Sequence, residues 1–338
     1  MFYALMLQGC TMNLLKRKRI LMSNFDLMER NEVNKDSKGG TELLQERLYG
    51  GDIPRELLEK VQIVFSRARD LDPDKKKIYY CHDLPEDPES SRLSDPMYRK
   101  KFDKFVFVSN WQMEKYNEVR GVEYNRSTVV KNSIVPIDTT KRTKSDKIRL
   151  IYHTTPHRGL QLLVPAFVEL CKRHNDITLD VYSSFKIYGW EQRDAQYQEL
   201  FDICRNHPNI KYHGTVSNDE IREALLSADI FAYPSIWKET SCLSLIEAMS
   251  AGLLCIHPNL AALSETSMGL TWMYQWNEDA NAHAGGFMQV LHQGIEVMRN
   301  QREGIEADLK LQKIQVDRVH GWNNKANEWK ALLESIIK

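Results

Sequence analysis

Two glutamates, Glu239 and Glu247, stand eight positions apart around the predicted start of a helix. Residues 233–252 are predicted to run from the end of a buried strand, through a short loop, into a helix that begins at about Ser241 and stops at Gly252. Glycine is the usual residue after a helix C-terminus. The first glutamate therefore falls in the loop, and the second falls about two turns into the helix.

The start of that helix is itself a candidate anion site. Its first backbone N–H groups have no partner within the helix and carry the positive end of the helix dipole. They belong to Thr240, Ser241, Cys242 and Leu243. A carboxylate beside such a site repels a phosphate, so we expect the glutamates to accept hydrogen bonds from hydroxyls, Glu239 from a sugar and Glu247 from a ribose. The alternative is that Glu239 is a charge in the first turn of the helix and that Glu247 lies on its solvated face. However, Glu247 lies among apolar residues, where a buried carboxylate needs a partner.

Three further positions carry side chains or backbone suited to a ligand. Arg158 follows a predicted strand and opens a helix, a place where a cation is unfavourable unless an anion neutralises it; the alternative is an isolated surface arginine. Gly39 and Gly40 open another predicted helix, where glycine allows close approach of a ligand or simply makes a turn. His82 ends a buried strand, either to contact a reacting sugar or as a core histidine with its hydrogen bond satisfied.

The sequence gives no case for a metal site or for the enzyme classes with well-known catalytic or nucleotide-binding motifs. Asp70-Leu71-Asp72 resembles a two-aspartate metal motif, but it lies in a charge-dense connection, and we expect a solvated loop and no metal site. HExxH, GxSxG, Walker and GxGxxG patterns do not occur in the sequence, so it gives no case for a zinc or serine hydrolase, a P-loop enzyme or a dinucleotide dehydrogenase.

The composition is that of a globular protein. Among 338 residues, 46 Lys+Arg balance 46 Asp+Glu, which argues against a nucleic-acid binder working through a broad basic surface. A hydrophobic content of 42% and the chain length favour two domains with cores of their own. The six cysteines form no CxxC pair and are expected to be reduced, mostly buried thiols of a cytosolic protein: Cys10, Cys81, Cys171, Cys204, Cys242 and Cys255.

The first 18 residues are treated as an uncertain extension. Residues 2–15 are apolar and the basic cluster KRKR follows at 16–19, which is the reverse of the order in a secretory signal. Two interpretations stay open: translation begins at Met12 or Met22, or these residues anchor the protein at a membrane surface. No apolar run is long enough for a transmembrane helix. We expect a cytoplasmic protein, with peripheral contact to anionic lipid left open.

Apolar, β-branched runs alternate with amphipathic stretches, which is typical of βαβ units and a mostly parallel sheet. The predicted strands are 19–25, 61–66, 77–82, 104–109, 128–134, 148–153, 178–183, 210–214, 230–235, 253–257 and 270–274. The predicted helices are 40–49, 93–102, 110–119, 159–173, 190–205, 217–227 and 241–251, with helix to the end after 278. Asn110 is expected to cap one helix, and Ser217 with Glu220 forms a capping box.

This order predicts two doubly wound α/β domains that face each other across a cleft. We place the first domain at 19–140, a linker at 141–147, the second domain at 148–320 and a final helix at 321–338. In open parallel sheets ligands bind beyond the carboxyl ends of the strands, so the loops after the strands are where chemistry is expected.

The motifs together resemble the retaining family-4 glycosyltransferases of the GT-B fold, the glycosyl transferases group 1. The similarity rests on the Glu–seven residues–Glu spacing within PSIWKETSCLSLIEAMSAG, with RGLQLL, HGTVSNDEI, FVFVSNWQ and GGTE in the expected order over roughly residues 19–335. The Glu-to-Glu segment is specific, whereas the glycine pair and His82 are not.

The resemblance implies a nucleoside-diphosphate sugar in the cleft and transfer of a hexose to a glycan, lipid-linked or protein-linked acceptor, with no cofactor and no metal. It implies that Glu239 contacts the donor sugar and Glu247 the ribose, that Arg158 holds the diphosphate, and that Gly214 lines the base. Gly39 and Gly40 would approach the phosphates, and His82 would face the transferring sugar. The final helix would cross back to the first domain.

The sequence departs from the family at several points. A second basic residue is common a few positions before Arg158, where His153 or His157 are the available substitutes, and Ser133 replaces a common glycine. The first domain is short for the fold. Two alternatives therefore stay open: a sugar-nucleotide epimerase of the same fold, and a non-catalytic module that binds sugar nucleotides and recruits a partner.

Overall fold

The structure is a computed structural model, which describes residues 39–68, 70–143 and 145–338. The predicted strand at 19–25, Cys10 and the basic cluster at 16–19 lie outside the described residues. Within them, no helix is long and apolar enough to cross a membrane.

The first lobe contains a parallel four-stranded sheet whose strands follow chain order. These strands are β1 (Val61–Phe65), β2 (Lys76–Tyr80), β3 (Lys104–Phe107) and β4 (Ser127–Val129). Its helices are α1 (Gly40–Tyr49), α2 (Arg55–Lys60), α3 (Pro96–Arg99) and α4 (Asn110–Arg120). The strand predicted over 128–134 ends at Val129, and α2 was not predicted.

Two local predictions in this lobe are wrong. The helix expected at 93–102 is replaced by a 3₁₀ segment, Pro88–Ser94, and the short α3, because Asp95 caps Met97 N–H and Pro96 starts a new helix at its first position. Asn110 is not the cap of α4. Ser109 takes that role, and its hydroxyl accepts a hydrogen bond from the backbone N–H of Gln112 at 3.1 Å.

The second lobe contains a parallel six-stranded sheet. Its strands are β5 (Ile148–Tyr152), β6 (Ile177–Val181), β7 (Ile210–Tyr212), β8 (Ile230–Ala232), β9 (Leu254–Pro258) and β10 (Trp272–Tyr274). In the order β10-β9-β8-β5-β6-β7, the chain builds outward from β5 and then returns to the other side of β5 with β8. The sheet is therefore doubly wound, as predicted, and its strand order reverses between β5 and β8. That reversal is where ligands bind in such folds.

The second sheet is covered by helices on both faces. They are α5 (Leu160–Cys171), α6 (Gln198–Asn206), α7 (Asn218–Ser227), α8 (Leu243–Ser250), α9 (Leu263–Ser267) and α10 (Ala280–Asn300). The predicted capping box is present at the start of α7, where Ser217 and Glu220 exchange hydrogen bonds. Gly252, with φ +71°, follows α8 as the predicted stop residue. Buried strands need apolar residues on both faces, which explains runs such as Leu150 to Tyr152, all fully buried.

The last two helices return the chain to the first lobe. They are α11 (Arg302–His320) and α12 (Trp322–Ile337). Trp322, Trp329 and Leu333 of α12 lie in the same core cluster as residues of β1, β2 and β3. At the corner between the helices, Ile134 pairs with Gly321, with the backbone N–H of Ile134 donating to His320 O at 2.8 Å.

The described cysteines are all free, and all are buried except Cys171, which is partly exposed. The predicted linker is anchored at Arg142. Its guanidinium donates to the backbone carbonyls of Ala228, at 2.6 Å, and of Ala251, at 2.8 Å. This segment is thus fastened to the second lobe at its start.

Candidate active site

Two loops meet at the reversal of strand order, one after β5 and one after β8. Gly159 lies at their contact with φ +131°, and a Cβ at this position would stand 2.2 Å from Pro234 O. The backbone N–H of Ile236 donates to Arg158 O at 3.3 Å. Glycine is required here by both its backbone conformation and the lack of space. The two loops are held together as one unit.

Arg158 and Glu239 form an ion pair at this junction. Arg158 Nη1 lies 2.5 Å from Glu239 Oε1, and the Tyr233 hydroxyl donates to the same oxygen. Within the described residues no side chain bonds to Glu239 Oε2. The carboxylate, 5% exposed, therefore has one oxygen fully engaged and one able to accept a hydroxyl.

The electrostatics of Arg158 follow from the same contact. Burial alone lowers the pKa of an arginine, but the adjacent Glu239 carboxylate outweighs it and holds the pKa of Arg158 well above its usual value. The guanidinium is oriented by a second bond, from Nε to Thr155 Oγ1 at 3.2 Å, and lies over the Trp237 ring. Arg158 is a fixed positive charge beside the start of α8.

Two uncapped helix N-termini approach each other across the lobes. Cys242 precedes α8 and Gly39 precedes α1, and neither gives a side-chain cap. A Cβ on Gly40 would stand 2.8 Å from the Leu243 side chain, and one on Gly39 would stand 2.5 Å from the Tyr188 ring. The first residues of the two helices thus lie side by side, where unpaired amides favour an anion; the Glu42 carboxylate of α1 also lies there, 2.9 Å from the Gly39 Cβ position.

Direct hydrogen bonds join the loop at 240–241 to the first lobe. Thr240 Oγ1 donates to His82 O at 2.9 Å, and Ser109 Oγ donates to Thr240 O at 2.7 Å. Asn132 Nδ2 donates to Ser241 O at 3.1 Å. The predicted residues from both lobes are therefore in contact in this structure.

His82 follows β2 by two residues, and one of its ring nitrogens is unused. Its ring contacts those of Tyr80 and Phe65, and its Nε2 is buried with no hydrogen-bond partner in the part of the chain described. Burial lowers the pKa of His82 to about 3, so the imidazole is neutral at pH 7. The alternative of a core histidine with a satisfied side-chain bond is wrong for Nε2.

Glu247 is buried, 5% exposed, so the solvated-face alternative is wrong. Asn218 Nδ2 donates to its Oε1 at 3.3 Å, and Arg222 Nη1 lies 3.7 Å from that oxygen. Burial raises the pKa of Glu247 above its usual value, partly offset by Arg222 and by Arg47. The partner that a buried carboxylate requires is present, from α7.

His153 and His157 border this cluster, since Ser244 Oγ of α8 donates to His153 O at 3.2 Å and the Trp237 ring packs against both His157 and Arg158. Burial lowers the pKa of His153 to about 3, so it supplies no second positive charge at neutral pH. The His157 ring packs on Phe185 and Trp237. Gly214 has φ +68° and open space around it, and no contact within the described residues joins it to Glu239.

Sequence reasoning missed several residues of the cluster. Tyr233 and Ser109 were predicted only as residues of strands, and Tyr188 lies in no predicted element. Glu265 was also missed, although its carboxylate accepts from the backbone N–H groups of Asn110 and Trp111, each at 3.1 Å. The positions of Ser109, Tyr188 and Glu265 depend on how the two lobes meet, whereas Tyr233 bonds to Glu239 within the second lobe.

A possible metal cluster lies far from this junction in the fold. The ligand atoms of His174, His292 and Glu296 fall within 4.8 Å of one another. Arg299 donates to His174 Nδ1 at 3.0 Å and also pairs with Glu296, so a cation already occupies the cluster. His174 precedes β6, which places it at the opposite edge of the sheet from the carboxyl ends. Asp72, in the two-aspartate motif, instead accepts from the backbone N–H of Asp74 at 3.0 Å.

Comparison of the fold places the chain in a class. The crystal structure of a glycosyltransferase from Rickettsia africae superposes with a TM-score of 0.66 and 16% identity, covering 91% of this chain and 84% of that one. Anabaena HepE in complex with UDP and glucose gives a TM-score of 0.59 and 13% identity, covering 77% and 72%. The fold is that of the GT-B glycosyltransferases, as predicted.

Sequence comparison identifies the second lobe more closely. Residues 136–299 match the family model described as glycosyl transferases group 1. The GPI3 subunit of phosphatidylinositol N-acetylglucosaminyltransferase from Saccharomyces cerevisiae is 24% identical over 174 residues. The match covers 48% of this chain and 37% of that subunit, so this chain spans well under half the length of the curated relatives it matches.

Proposed function

We propose that this protein is a retaining, metal-independent transferase of family-4 type, which moves a hexose from a nucleoside-diphosphate sugar to a glycan, lipid-linked or protein-linked acceptor. The observation that carries the proposal is the junction of Arg158, Glu239 and the uncapped start of α8 at the reversal of strand order. A fixed cation, free amides and a carboxylate with one open oxygen match the three parts of such a donor.

The chemistry assigns a role to each group. Cleavage of the sugar–phosphate bond develops negative charge on the departing diphosphate, which Arg158 and the helix amides stabilise as an oxyanion hole does. Glu239 Oε2 accepts hydroxyls of the transferring sugar, while Tyr233 and Arg158 hold Oε1 in place. Glu247 takes the ribose hydroxyls, with Arg222 compensating its buried charge.

His82 completes the site from the first lobe. Its neutral ring faces no protein partner at Nε2, so we assign it to a hydroxyl of the transferring sugar. We infer front-face attack, in which the acceptor hydroxyl loses its proton to the leaving phosphate as the new glycosidic bond forms. The retained configuration follows from attack on the side of departure.

Uridine diphosphate sugars are the first donors to test. UDP and glucose are bound in Anabaena HepE, and the yeast GPI3 relative is named for N-acetylglucosamine transfer. The decisive experiment is a thermal-shift screen of UDP-glucose, UDP-N-acetylglucosamine and GDP-mannose with a chelator present. A donor at a hundredfold excess over its Kd stabilises the folded state by about 2.7 kcal/mol.

Variants make that screen specific to the site. Glu239→Gln and Arg158→Gln are expected to lose the shift, whereas the exposed Glu303→Gln keeps it. Incubation with the donor alone separates an epimerase, which would change the sugar without an acceptor. A wild-type protein that gives no shift with any donor, or that needs a divalent metal for it, contradicts the proposal.

A further inference from the structure

A pocket of about 430 Å³ lies where the chain crosses back to the first lobe. Its walls come from the end of β4, the end of α11, the start of α12 and the first residue of α4. The residues that matter for its chemistry are Asn110, Lys131, Arg318, Lys325 and Glu328. These five define what we call the crossover pocket, which has no part in the donor site proposed above.

The crossover pocket carries a surplus of positive charge. Lys325 is buried, at 5% exposure, and pairs with Glu328 at 2.5 Å. Lys131 pairs with Glu265 at 3.4 Å. Arg318 forms no ion pair with any residue that the structure describes. Three cations against two carboxylates leave the Arg318 guanidinium available, and a planar guanidinium is well suited to bind a phosphate.

Two buried acceptors without a donor lie beside the pocket. His320 Nδ1 lies 2.7 Å from Asn132 O, and since a carbonyl only accepts, Nδ1 carries the proton. Nε2 of the same ring is then an acceptor. It and Asn132 Oδ1 are buried with no partner among the described residues. Lys131 and Lys325 act on the His320 ring electrostatically, which puts it in the same cluster. Neither His320 nor Asn132 lines the pocket and both unpaired atoms are shielded from solvent, so they form an unpaired polar layer behind its wall.

The pocket borders the donor loop. Ser109, which precedes Asn110, donates to Thr240 O at 2.7 Å, and Asn132, which follows Lys131, donates to Ser241 O at 3.1 Å. Two of the wall residues are therefore one position away from contacts with the loop that follows Glu239. A ligand in the pocket lies on the first-lobe side of that loop, where an acceptor would enter.

Resting on the proposed transferase function, we propose that the crossover pocket binds the phosphoester group of a phosphate-bearing acceptor, with Arg318 as its principal cation. The chemistry is shared by soluble polyol phosphates and by the head groups of phospholipids. It does not require the donor to be present.

The test uses glycerol 1-phosphate as the probe in ligand-observed NMR titrations of the full chain, with glycerol as the uncharged comparison. Arg318→Gln is expected to raise the Kd for glycerol 1-phosphate about tenfold, the effect of losing one charge-assisted bond. Arg55→Gln, the same change at an exposed arginine of α2, is the matched control and is expected to bind as the wild type does. Cosedimentation with phosphatidylglycerol vesicles tests whether a lipid head group also binds in the crossover pocket. Vesicles of pure phosphatidylcholine are the control.

The outcomes separate this inference from the function on which it rests. Arg318-dependent binding of glycerol 1-phosphate supports the pocket, and Arg318-dependent vesicle binding adds the lipid source. Equal binding by wild type and Arg318→Gln, or equal binding of glycerol and its phosphate, overturns the pocket even if the donor screen succeeds. If binding of glycerol 1-phosphate depends on Arg318 but no donor gives a thermal shift, the pocket is supported as a phosphoester site and the proposed transferase function is rejected.

Discussion

Arg158 Nη1 and Glu239 Oε1 lie 2.5 Å apart although 81 positions separate the residues in the chain. They come from the loops after β5 and β8, the two strands between which the sheet order reverses. Each charge is thus held in place by the other before any ligand arrives. A ligand that enters here meets a preorganised cation and carboxylate, so little reorganisation is needed when it binds.

Removing both members of this pair is expected to cost less than the sum of removing each one alone. Glu239→Gln leaves a guanidinium that is only 21% exposed without its carboxylate, so we expect a loss of about 3 kcal/mol in the free energy of unfolding. The double variant Arg158→Gln/Glu239→Gln should lose less than the sum of the two single variants. Urea unfolding of the four proteins measures this coupling, and additive losses would show that the pair contributes nothing.

Glu239→Gln should also reduce turnover with a productive donor by about 10²–10³-fold, the range seen when one stabilising group is removed from an active site. The measurement is kcat with donor and acceptor saturating, compared with Glu303→Gln as an exposed control. A variant with wild-type kcat removes Glu239 from the site.

Two glycines with positive φ provide a matched pair. Gly159→Ala places a Cβ 2.2 Å from Pro234 O, whereas Gly214→Ala meets nothing within 4 Å. We expect Gly214→Ala to lose about 1 kcal/mol, the cost of a left-handed conformation, and Gly159→Ala to lose several kcal/mol because the two site loops must separate. Melting temperatures of the two variants provide the comparison, and similar values would mean that the loops adapt freely.

Stability is expected to fall steeply on mild acidification. Burial lowers the pKa of both His82 and His153 to about 3, against about 6.5 in the unfolded chain. Between pH 6.5 and about pH 3, both imidazoles are therefore protonated in the unfolded state but neutral in the folded state. Each histidine removes about 1.4 kcal/mol per pH unit in that window. Urea unfolding at pH 7, 6 and 5 measures the slope, and His153→Gln should reduce it by about one proton; an unchanged slope contradicts the assignment.

Glu265 is expected to hold the two lobes together. It accepts from the first two backbone N–H groups of α4 and pairs with Lys131, so Glu265→Gln weakens a cap that crosses the cleft. We expect a loss of about 1 kcal/mol and a larger radius of gyration in small-angle scattering. These amides hold the pKa of Glu265 below its usual value despite burial, so its contribution is full above about pH 4.5 and fades below it. An unchanged radius with a lower Tm would restrict Glu265 to a local role.

The sequence was informative where one segment determines its own structure. Ser217 and Glu220 cap a helix because both lie within four residues, and the strand runs of the second lobe are apolar because both faces are covered. The order of those runs was enough to place Arg158 and Glu239 in neighbouring loops. Their mutual ion pair was not predictable, since pairing depends on side-chain directions at a junction of two distant loops.

Features that depend on the meeting of the lobes were beyond sequence reasoning. Tyr188 contacts Gly39, and Ser109 bonds to Thr240, across distances of more than a hundred positions. The cap of α4 was misplaced by one residue because Ser109 and Asn110 are both good capping residues, and only the backbone conformation of Ser109 distinguishes them.

The return of α12 to the first lobe has a consequence for biosynthesis. Trp329 and Leu333 share a core with Val61 of β1 and Ile78 of β2. The ribosome synthesises these two strands some 250 residues before α12. The apolar face of the nascent first lobe therefore stays uncovered while the entire second lobe is translated. The second lobe is free to fold on its own during that time. Chaperone binding is accordingly expected on nascent chains at this early stage, and the emergence of α12 from the ribosome is the event that covers this face.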